Sequence, residues 1–390
     1  MIVRQFLQWL RNAPPGERAD ATSALARAYL HSPLSPDDRA AAEGAMIMLL
    51  DDPSPLVRRA LSDVFASSQK APPIVVHALA SDQPEIAVPI LERSPLLLDA
   101  DLVDLVATGH PEAQTAIASR LMLQRSVSAA IAEVGAAQAC LALLENPDAE
   151  ITPFSIVRVI ERFGHLAPIR ENLLARDDLP MRSRQALLAK LSQALAGFVT
   201  SRHWLAPDHA QYAAKEACEK ATVALAADTP YEEVGDLVSH LRDSGQLTAG
   251  LLLRALLSGN VVLFEEALAE LSGQAIERVT SYVHDKTISG FRALYIKAGL
   301  PDGAYSAFRE AIAAMREGAL LGGPSGADRL KRRMVERVLT RCAEQAIGDV
   351  EPLLTLLRRF AVEAAREEAR MFCDDLVAHD SYTGGRLLVA

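Results

Sequence analysis

Cysteine and aromatic residues are scarce in this 390-residue sequence, and each shortage excludes a class of protein. The four cysteines, Cys140, Cys218, Cys342 and Cys373, are scattered and form no CxxC pair. This pattern excludes a disulfide framework and a zinc knuckle, and it suits a reducing compartment. Aromatic residues make up 5% of the chain, whereas half of it is hydrophobic and rich in Ala and Leu. Because Ala and Leu favour helices, the composition predicts helix-on-helix packing.

Long apolar runs and a basic charge balance are also absent. The longest apolar runs, such as AMIMLL, fall far short of the roughly 20 residues that a membrane span needs. The N-terminal MIVRQFLQWLRN interrupts its apolar residues with Arg4 and Gln5, unlike a secretory signal peptide. The net charge of −10 opposes non-specific binding to nucleic acid or anionic lipid. We therefore expect a cytoplasmic protein with no membrane partner.

The sequence does contain a recurring segment in which one helix ends and the next begins at a proline, and we call this segment a turn-and-helix phrase. In residues 49–66, LLDDPSPLVRRALSDVFA, a helix end is followed by Asp52 as a cap and by Pro53 or Pro55 in the first turn of the next helix. Apolar residues then recur at three- and four-residue spacing. A period near 30 to 36 residues with two helices per unit is typical of an α-solenoid. Similar phrases follow at Pro84, Pro111, Pro147 and Pro180.

The D-P-x-x-x-V-R arrangement from Asp52 to Arg58 resembles the HEAT repeat. This resemblance implies an all-α fold, a right-handed α-solenoid of helical-hairpin repeats, in which the second helix of each pair lines the concave face. We interpret Asp51, Asp52, Arg58 and Arg59 as caps, an inter-repeat ion pair and solvated surface rather than as a catalytic set.

Residues 299–312 read G-L-P-x-x-A-x-x-x-F-R-x-A-I, which is similar to the bacterial domain-of-unknown-function family 2336. The resemblance extends from about residue 30 to residue 316. It implies a helical-repeat fold and no activity, because none is established for that family.

Changes in composition predict four segments. A HEAT-like repeat array covers residues 1–200, and further helical repeats with the GLP motif cover residues 201–317. The Gly-rich residues 318–327 predict a linker, and residues 328–390 predict a C-terminal helical hairpin with a tail. A single hairpin is too small to fold alone, so it packs on the solenoid or on a second copy of itself. We favour the second copy, which predicts a homodimer through residues 328–378.

Arginines on the predicted second helices form the first candidate site. If these helices share the concave wall, the arginines form a basic stripe for an anionic partner, protein or nucleic acid. Solvated surface and inter-repeat pairing are the alternatives, and interleaved acidic residues dilute the charge. A HEAT-like glycosylase is a rival reading, but the aromatic residues that would stack on a base are nearly absent. The predicted partner-binding residues are Arg58, Arg59, Arg120, Arg158, Arg162 and Arg184.

Residues 201–221, SRHWLAPDHAQYAAKEACEKA, are the most suggestive segment for chemistry. A helix after Pro207 would place His209 and Glu216 on one side, with His203 at its entrance. A histidine near carboxylates binds metal or transfers protons, which makes these three residues weak metal candidates and the centre of a hydrolase alternative.

The same segment also has a structural interpretation. A metal site needs three or four ligands with supporting hydrogen bonds, and only two histidines lie close together here. Asp208 is better explained as a helix cap, and Trp204 as a core residue between repeats.

The standard catalytic motifs are absent. No phosphate loop, G-x-S-x-G, G-x-G-x-x-G or H-E-x-x-H occurs in the sequence. We therefore predict a non-enzymatic scaffold, without a cofactor, that binds a protein partner through its concave face in a regulatory pathway. An enzyme on the same architecture stays open as the alternative.

Overall fold

The computed structural model describes residue 9 and residues 12–285, 288–318, 330–344 and 351–384. Every regular element in these residues is a helix and none is a strand, which confirms the predicted all-α class. None of the described helices combines the length and the apolar character that a membrane crossing requires.

The chain divides into two compact units, Met1–Leu179 and Pro180–Ala390. The predicted division after residue 200 differs from this one, because it falls at the end of the long helix Met181–Ser201. The C-terminal hairpin belongs to the second unit. Residues 319–327 of the predicted linker lie outside the described residues.

The first unit consists of short helices joined by tight turns. Many of them begin with proline, whose missing N–H costs nothing in the first turn. The predicted helix after Pro53 begins at Pro55, with Ser54 rather than Asp52 as its N-cap. The helices are α1 (Pro15–His31), α2 (Pro36–Leu49), α3 (Pro55–Phe65), α4 (Pro73–Ala80), α5 (Pro84–Arg93), α6 (Asp99–Thr108), α7 (Pro111–Ala118), α8 (Arg125–Val134), α9 (Ala137–Glu145), α10 (Pro153–Phe163) and α11 (Ala167–Leu174).

These helices pack in two rows, because most of them contact the second helix after them along the chain. In the first row α1 contacts α3, and the contacts continue through α5, α7, α9 and α11. In the second row α2 contacts α4, and α6, α8 and α10 contact in succession. Neighbours in a row run parallel, since like ends meet. Asn146, after α9, donates hydrogen bonds to the carbonyls of Ala118 and Arg120, after α7, at 2.8 and 2.7 Å.

The predicted proline period matches these rows only in part. The phrases at Pro53, Pro84 and Pro111 precede successive first-row helices, α3, α5 and α7. The phrase at Pro147 does not, because the helix after it begins at Pro153 and belongs to the second row. The next first-row helix, α9, begins without a proline. First-row helices from α3 onward begin 26 to 30 residues apart, so the predicted period of 30 to 36 residues was too long.

The second unit combines long and short helices. The 21-residue helices α12 and α13 pack against each other, α13 packs on α15, and α14 packs on α12 and α16. A short 3-10 turn, Asp302–Ala304, precedes α19. The helices are α12 (Met181–Ser201), α13 (Pro207–Ala227), α14 (Tyr231–Asp243), α15 (Ala249–Ser258), α16 (Val261–Ser272), α17 (Ile276–His284), α18 (Ile288–Lys297), α19 (Tyr305–Gly318), α20 (Arg332–Glu344) and α21 (Glu351–Gly384).

The C-terminal hairpin, α20 and α21, packs on the other helices of this unit. Val338, Leu357 and Phe360 are fully buried in one core with the leucines of α15. The backbone N–H of Lys331 donates to the carbonyl of Leu257 at the end of α15, at 3.1 Å. The hairpin therefore buries its apolar stripes within the chain. Packing of the hairpin on other helices of the same chain is observed, and the homodimer stays a prediction.

Candidate functional site

Arg58, the first predicted partner-binding residue, joins separate parts of the first unit. Its Nε and Nη2 donate to the two carboxylate oxygens of Asp82 at 2.6 and 3.1 Å, and its Nη1 donates to the Asp52 carbonyl at 2.6 Å. The Asp52 carboxylate pairs with Arg18 of α1 at 2.8 Å. Burial would raise the pKa of Asp52, but hydrogen bonds from Arg18 and Ser54 hold that pKa below its usual value. These contacts agree with an inter-repeat ion pair.

Arg120 and Arg162 each bind the carboxyl end of the preceding helix in the same row. Arg120 donates to the carbonyls of Leu91 and Ser94, at the end of α5, at 2.5 and 2.7 Å. Arg162 donates to two carbonyls at the end of α8, at 2.7 and 2.8 Å. The last carbonyls of a helix have no partner within it, so the guanidinium groups satisfy them and interact favourably with the helix dipole. Burial lowers the pKa of the Arg120 guanidinium.

The remaining predicted arginines are also engaged. Arg59 pairs with Asp63 one turn along α3, at 2.8 Å. Arg158 pairs with Glu133 at 2.8 Å across the second row, from α10 to α8. Arg184 lies half-buried on α12, in the second unit.

The structure does not bring these arginines together on one row of helices. The first row carries Arg58, Arg59 and Arg120, and the second row carries Arg158 and Arg162. The basic stripe was expected only if the predicted second helices share one wall, and these five arginines do not meet that condition, because Pro153 opens a helix of the other row. A guanidinium has five donors, and in the first unit these donors reach carboxylates and carbonyls of the same unit.

Replacing Arg120 with alanine is expected to lower the free energy of unfolding by about 2 kcal/mol, since two half-buried carbonyls lose their donor. Urea unfolding followed by circular dichroism measures this loss. Arg93→Ala is the matched control, because the Arg93 side chain is 55% exposed and lies 4.0 Å from its carboxylate neighbour Glu92. An equal loss in both variants would contradict the assigned role.

The predicted metal candidates do not converge. His203 lies in the turn between α12 and α13 with a φ of +58°, in the left-handed region. His209 and Glu216 lie on α13, separated by about two turns. Across the described ranges, no group of three His, Cys, Asp or Glu side chains is placed to hold a metal ion. The geometry therefore gives no support to a metal site or a hydrolase centre at these residues.

Two structural interpretations of the same segment were wrong. Trp204 is not a core residue: it is 66% exposed and rests edge-on against Phe198, with ring centroids 5.7 Å apart. Trp204 lies where α12 ends and α13 begins, and residues 201–209 at this junction are all exposed. The 21-residue helices α12 and α13 are longer than the 13-residue α14. Asp208 lies in the first turn of α13, but Ala206 is the N-cap and no side chain caps that helix end.

Three of the four cysteines are buried, the usual place for a small apolar side chain. Cys140, Cys218 and Cys342 lie in the interior, and Cys373 is exposed. Burial raises the pKa of the Cys140 thiol to about 11, so this thiol stays protonated near neutral pH and is a poor nucleophile.

Exposed apolar side chains at the start of second-row helices were not predicted. Leu98 precedes α6, Leu121 and Met122 lie in the turn before α8, and Phe154 lies in the first turn of α10. These side chains are 69% to 79% exposed, and we call the four residues the apolar edge. The sequence holds a signal for Phe154, a large apolar residue directly after the first-turn proline, but helical periodicity alone does not assign it to the surface.

The turn before α8 is fixed by bonds to the start of α10. The backbone N–H of Glu150 donates to the Leu123 carbonyl at 2.9 Å, and the Glu150 carboxylate pairs with Arg125 at 2.7 Å. Met122 has a φ of +53°, a left-handed conformation that costs an L side chain about 1 kcal/mol or more. Met122 thus keeps a strained backbone conformation within a turn that these bonds hold in place.

The GLP motif forms a turn and a packed helix. Gly299 has a φ of +68° at the end of α18, a conformation that favours a residue without a Cβ. The hydroxyl of Tyr295 donates to the Pro301 carbonyl at 2.7 Å, which fixes the turn. Phe308 is fully buried and stacks on Phe264, with ring centroids 6.0 Å apart. The motif therefore specifies packing.

The fold and these surfaces define an all-helical protein whose first unit packs its helices in two rows and exposes large apolar residues at the starts of α6, α8 and α10. The chain belongs to the family described as an uncharacterised protein conserved in bacteria (DUF2336), whose profile matches residues 86–348. This range includes the GLP motif, and it begins and ends later than the resemblance expected from about residue 30 to residue 316. No curated protein and no solved structure matches the chain.

Proposed function

We propose that this protein is a non-enzymatic scaffold, a right-handed α-solenoid of HEAT-like helical-hairpin repeats, that binds a protein partner. Parallel helices in two rows, with first-row helices that begin 26 to 30 residues apart, support the repeat architecture. Units that contact only their neighbours leave long continuous surfaces for binding.

The apolar edge is the observation that carries this proposal. Its four side chains lie at or just before the starts of α6, α8 and α10, three helices that contact in succession in the second row. Large apolar side chains on a rigid surface lose little conformational entropy on binding and typically supply the anchors of a protein interface. In contrast, the predicted arginines of the first unit already bind groups of that unit.

The charge around the edge indicates the chemistry of the partner. Asp99 and Asp101 begin α6 directly after Leu98, and Asp148 precedes α10, whereas the Glu150 carboxylate is paired with Arg125. We therefore assign the edge to an amphipathic helical segment whose apolar stripe is flanked by lysine or arginine. Apolar contacts supply the affinity, and the charges fix the orientation.

The test compares three forms of the full chain in affinity purification from the native cell. The triple variant Leu121→Ser/Met122→Ser/Phe154→Ser is expected to lose a protein that the wild type retains. The control Leu195→Ser/Leu205→Ser, which changes exposed apolar residues of the second unit, is expected to retain it.

A photo-reactive residue at position 154 then identifies the contact, and the same residue at position 195 serves as its control. Cross-links to the retained protein from position 154 alone support the proposal. Equal retention by all three forms, or cross-links from position 195 alone, would show that the partner does not bind the apolar edge.

A further inference from the structure

A cleft of about 560 Å³ in the second unit lies between α13 and α21. This volume falls within the usual range of small-molecule sites, about 300 to 1,000 Å³. Five cationic side chains line the cleft, although the whole chain carries a net charge of −10. They are Lys220, Arg358, Arg359, Arg366 and Arg370.

Ion pairs already occupy some of these charges. Lys220 pairs with Glu367 at 2.6 Å and with Glu363 at 3.3 Å. Arg358 pairs with Glu351 at 2.7 Å. The carboxylates of Glu363 and Glu367 are therefore already paired, and they leave the other arginines of the cleft without a counter-charge.

Three arginines of the cleft have no acidic partner among the described residues. Arg359 lies over the ring of Tyr212, with its guanidinium carbon 4.2 Å from the ring centroid. The side chains of Arg366 and Arg370 make no hydrogen bond or ion pair with any residue in the described ranges. Glu216 is the one acidic lining residue of the cleft that is likewise unpaired within those ranges. The cleft thus concentrates positive charge.

This arrangement has a cost for the folded chain. Arg366 and Arg370 are one turn apart on α21, where like charges repel each other. A bound anion removes the repulsion. Arg366 and Arg370 are exposed and hydrated, so both guanidinium groups are available to an anion that enters the cleft.

The spacing indicates how the charge of that ligand is distributed. Along the axis of α21, the Cα atom of Arg366 lies about 10 Å from that of Arg359 and about 6 Å from that of Arg370, since the rise is about 1.5 Å per residue. A single phosphate group cannot lie close to all three positions. Guanidinium groups match the geometry of phosphate oxygens, and the half-exposed Tyr212 and Val362 supply an apolar flank.

We propose that the α13/α21 cleft binds a nucleotide-sized molecule that bears two or more phosphate groups. Arg366 and Arg370 bind phosphate oxygens, and Arg359 with Tyr212 forms the wall for the remainder of the molecule. This inference is independent of the apolar edge, which belongs to the first unit.

Calorimetric titration of the full chain tests the site with three probes: inorganic phosphate, inorganic triphosphate and ATP. Triphosphate and ATP are expected to bind with one-to-one stoichiometry, about tenfold or more tighter than inorganic phosphate, because they engage more than one arginine. The affinity is expected to fall as salt rises. Tighter binding of ATP than of triphosphate would identify a nucleotide as the ligand, and equal binding would identify a polyphosphate chain.

The variant Arg366→Gln/Arg370→Gln is expected to weaken triphosphate binding by about tenfold or more. The control Arg332→Gln/Arg341→Gln removes the same charge from α20, where both arginines pair with glutamates, and is expected to bind normally. A second measurement follows the melting temperature, which triphosphate should raise for the wild type and the control but not for the cleft variant.

Three results would overturn the proposal. They are an absence of triphosphate and ATP binding by the wild type, an equal loss in both variants, and a single-stranded oligonucleotide that displaces triphosphate and binds far more tightly than any of the three probes.

Discussion

Replacing Glu363 with alanine is expected to lower the free energy of unfolding of the second unit by about 3 kcal/mol or more, because it leaves a buried arginine without a counter-charge. Arg254 is 1% exposed, and its Nη1 donates to both Glu363 carboxylate oxygens at 2.9 and 2.8 Å. Its Nε and Nη2 have no hydrogen-bond partner among the described residues. The Glu363 carboxylate thus provides the ionic partner of this buried guanidinium.

Two further variants separate charge pairing from other effects. Glu368→Ala, which removes an exposed carboxylate from the same helix, is expected to change the free energy of unfolding by less than about 0.5 kcal/mol. Arg254→Met/Glu363→Leu, which replaces the pair with apolar side chains, is expected to recover most of the loss. Urea unfolding measures all three. If the double variant is as unstable as Glu363→Ala, the unpaired charge is not the cause.

Phe360→Ala is expected to destabilise the docking of the C-terminal hairpin by about 3 to 5 kcal/mol, the usual cost of truncating a buried phenylalanine. The ring is fully buried in the core of the second unit, and the guanidinium carbon of Arg254 lies 4.5 Å from its centroid. The variant therefore loses apolar burial and a cation–π contact, and it leaves a cavity beside a buried charge.

Native-state hydrogen exchange measures this effect locally. The amides of α20 and α21 are expected to lose protection in Phe360→Ala. Phe372→Ala is the control on the same helix, because the Phe372 side chain is 64% exposed. In this variant the free energy of protection of the same amides is expected to stay within about 0.5 kcal/mol of the wild type. Similar losses in both variants would mean that the hairpin is not held by its buried face.

The helices were predictable because their signals are local. Proline in the first turn and apolar residues at three- and four-residue spacing act within one helix, and the structure begins α3, α5 and α7 at Pro55, Pro84 and Pro111. The repeat period was less predictable, since α9 begins at Ala137 without proline. When one first-row helix lacks its proline, the next proline is assigned to the wrong row, as happened with Pro147.

The candidate sites were less predictable, because their partners are distant in sequence. The carbonyls that Arg120 binds lie 26 and 29 residues before it, and no local pattern distinguishes such an arginine from a free one. The arginines of α21 had a signal in their spacing, from Arg359 to Arg370, but the cleft exists only because α21 lies beside α13. The spacing of these arginines in the sequence did not indicate that α13 forms the opposite wall of the cleft.

The sequence by itself determined that this protein is helical, that several of its helices begin at or next to a proline, and that it belongs with a bacterial family of this composition and motif. The tertiary structure alone decided which arginines are used internally, which apolar side chains stay exposed and which cations share a cleft. The physical reason is range: helix formation depends on residues within a few positions of one another. Burial and charge pairing depend on groups that the fold brings together from as far apart as Arg254 and Glu363.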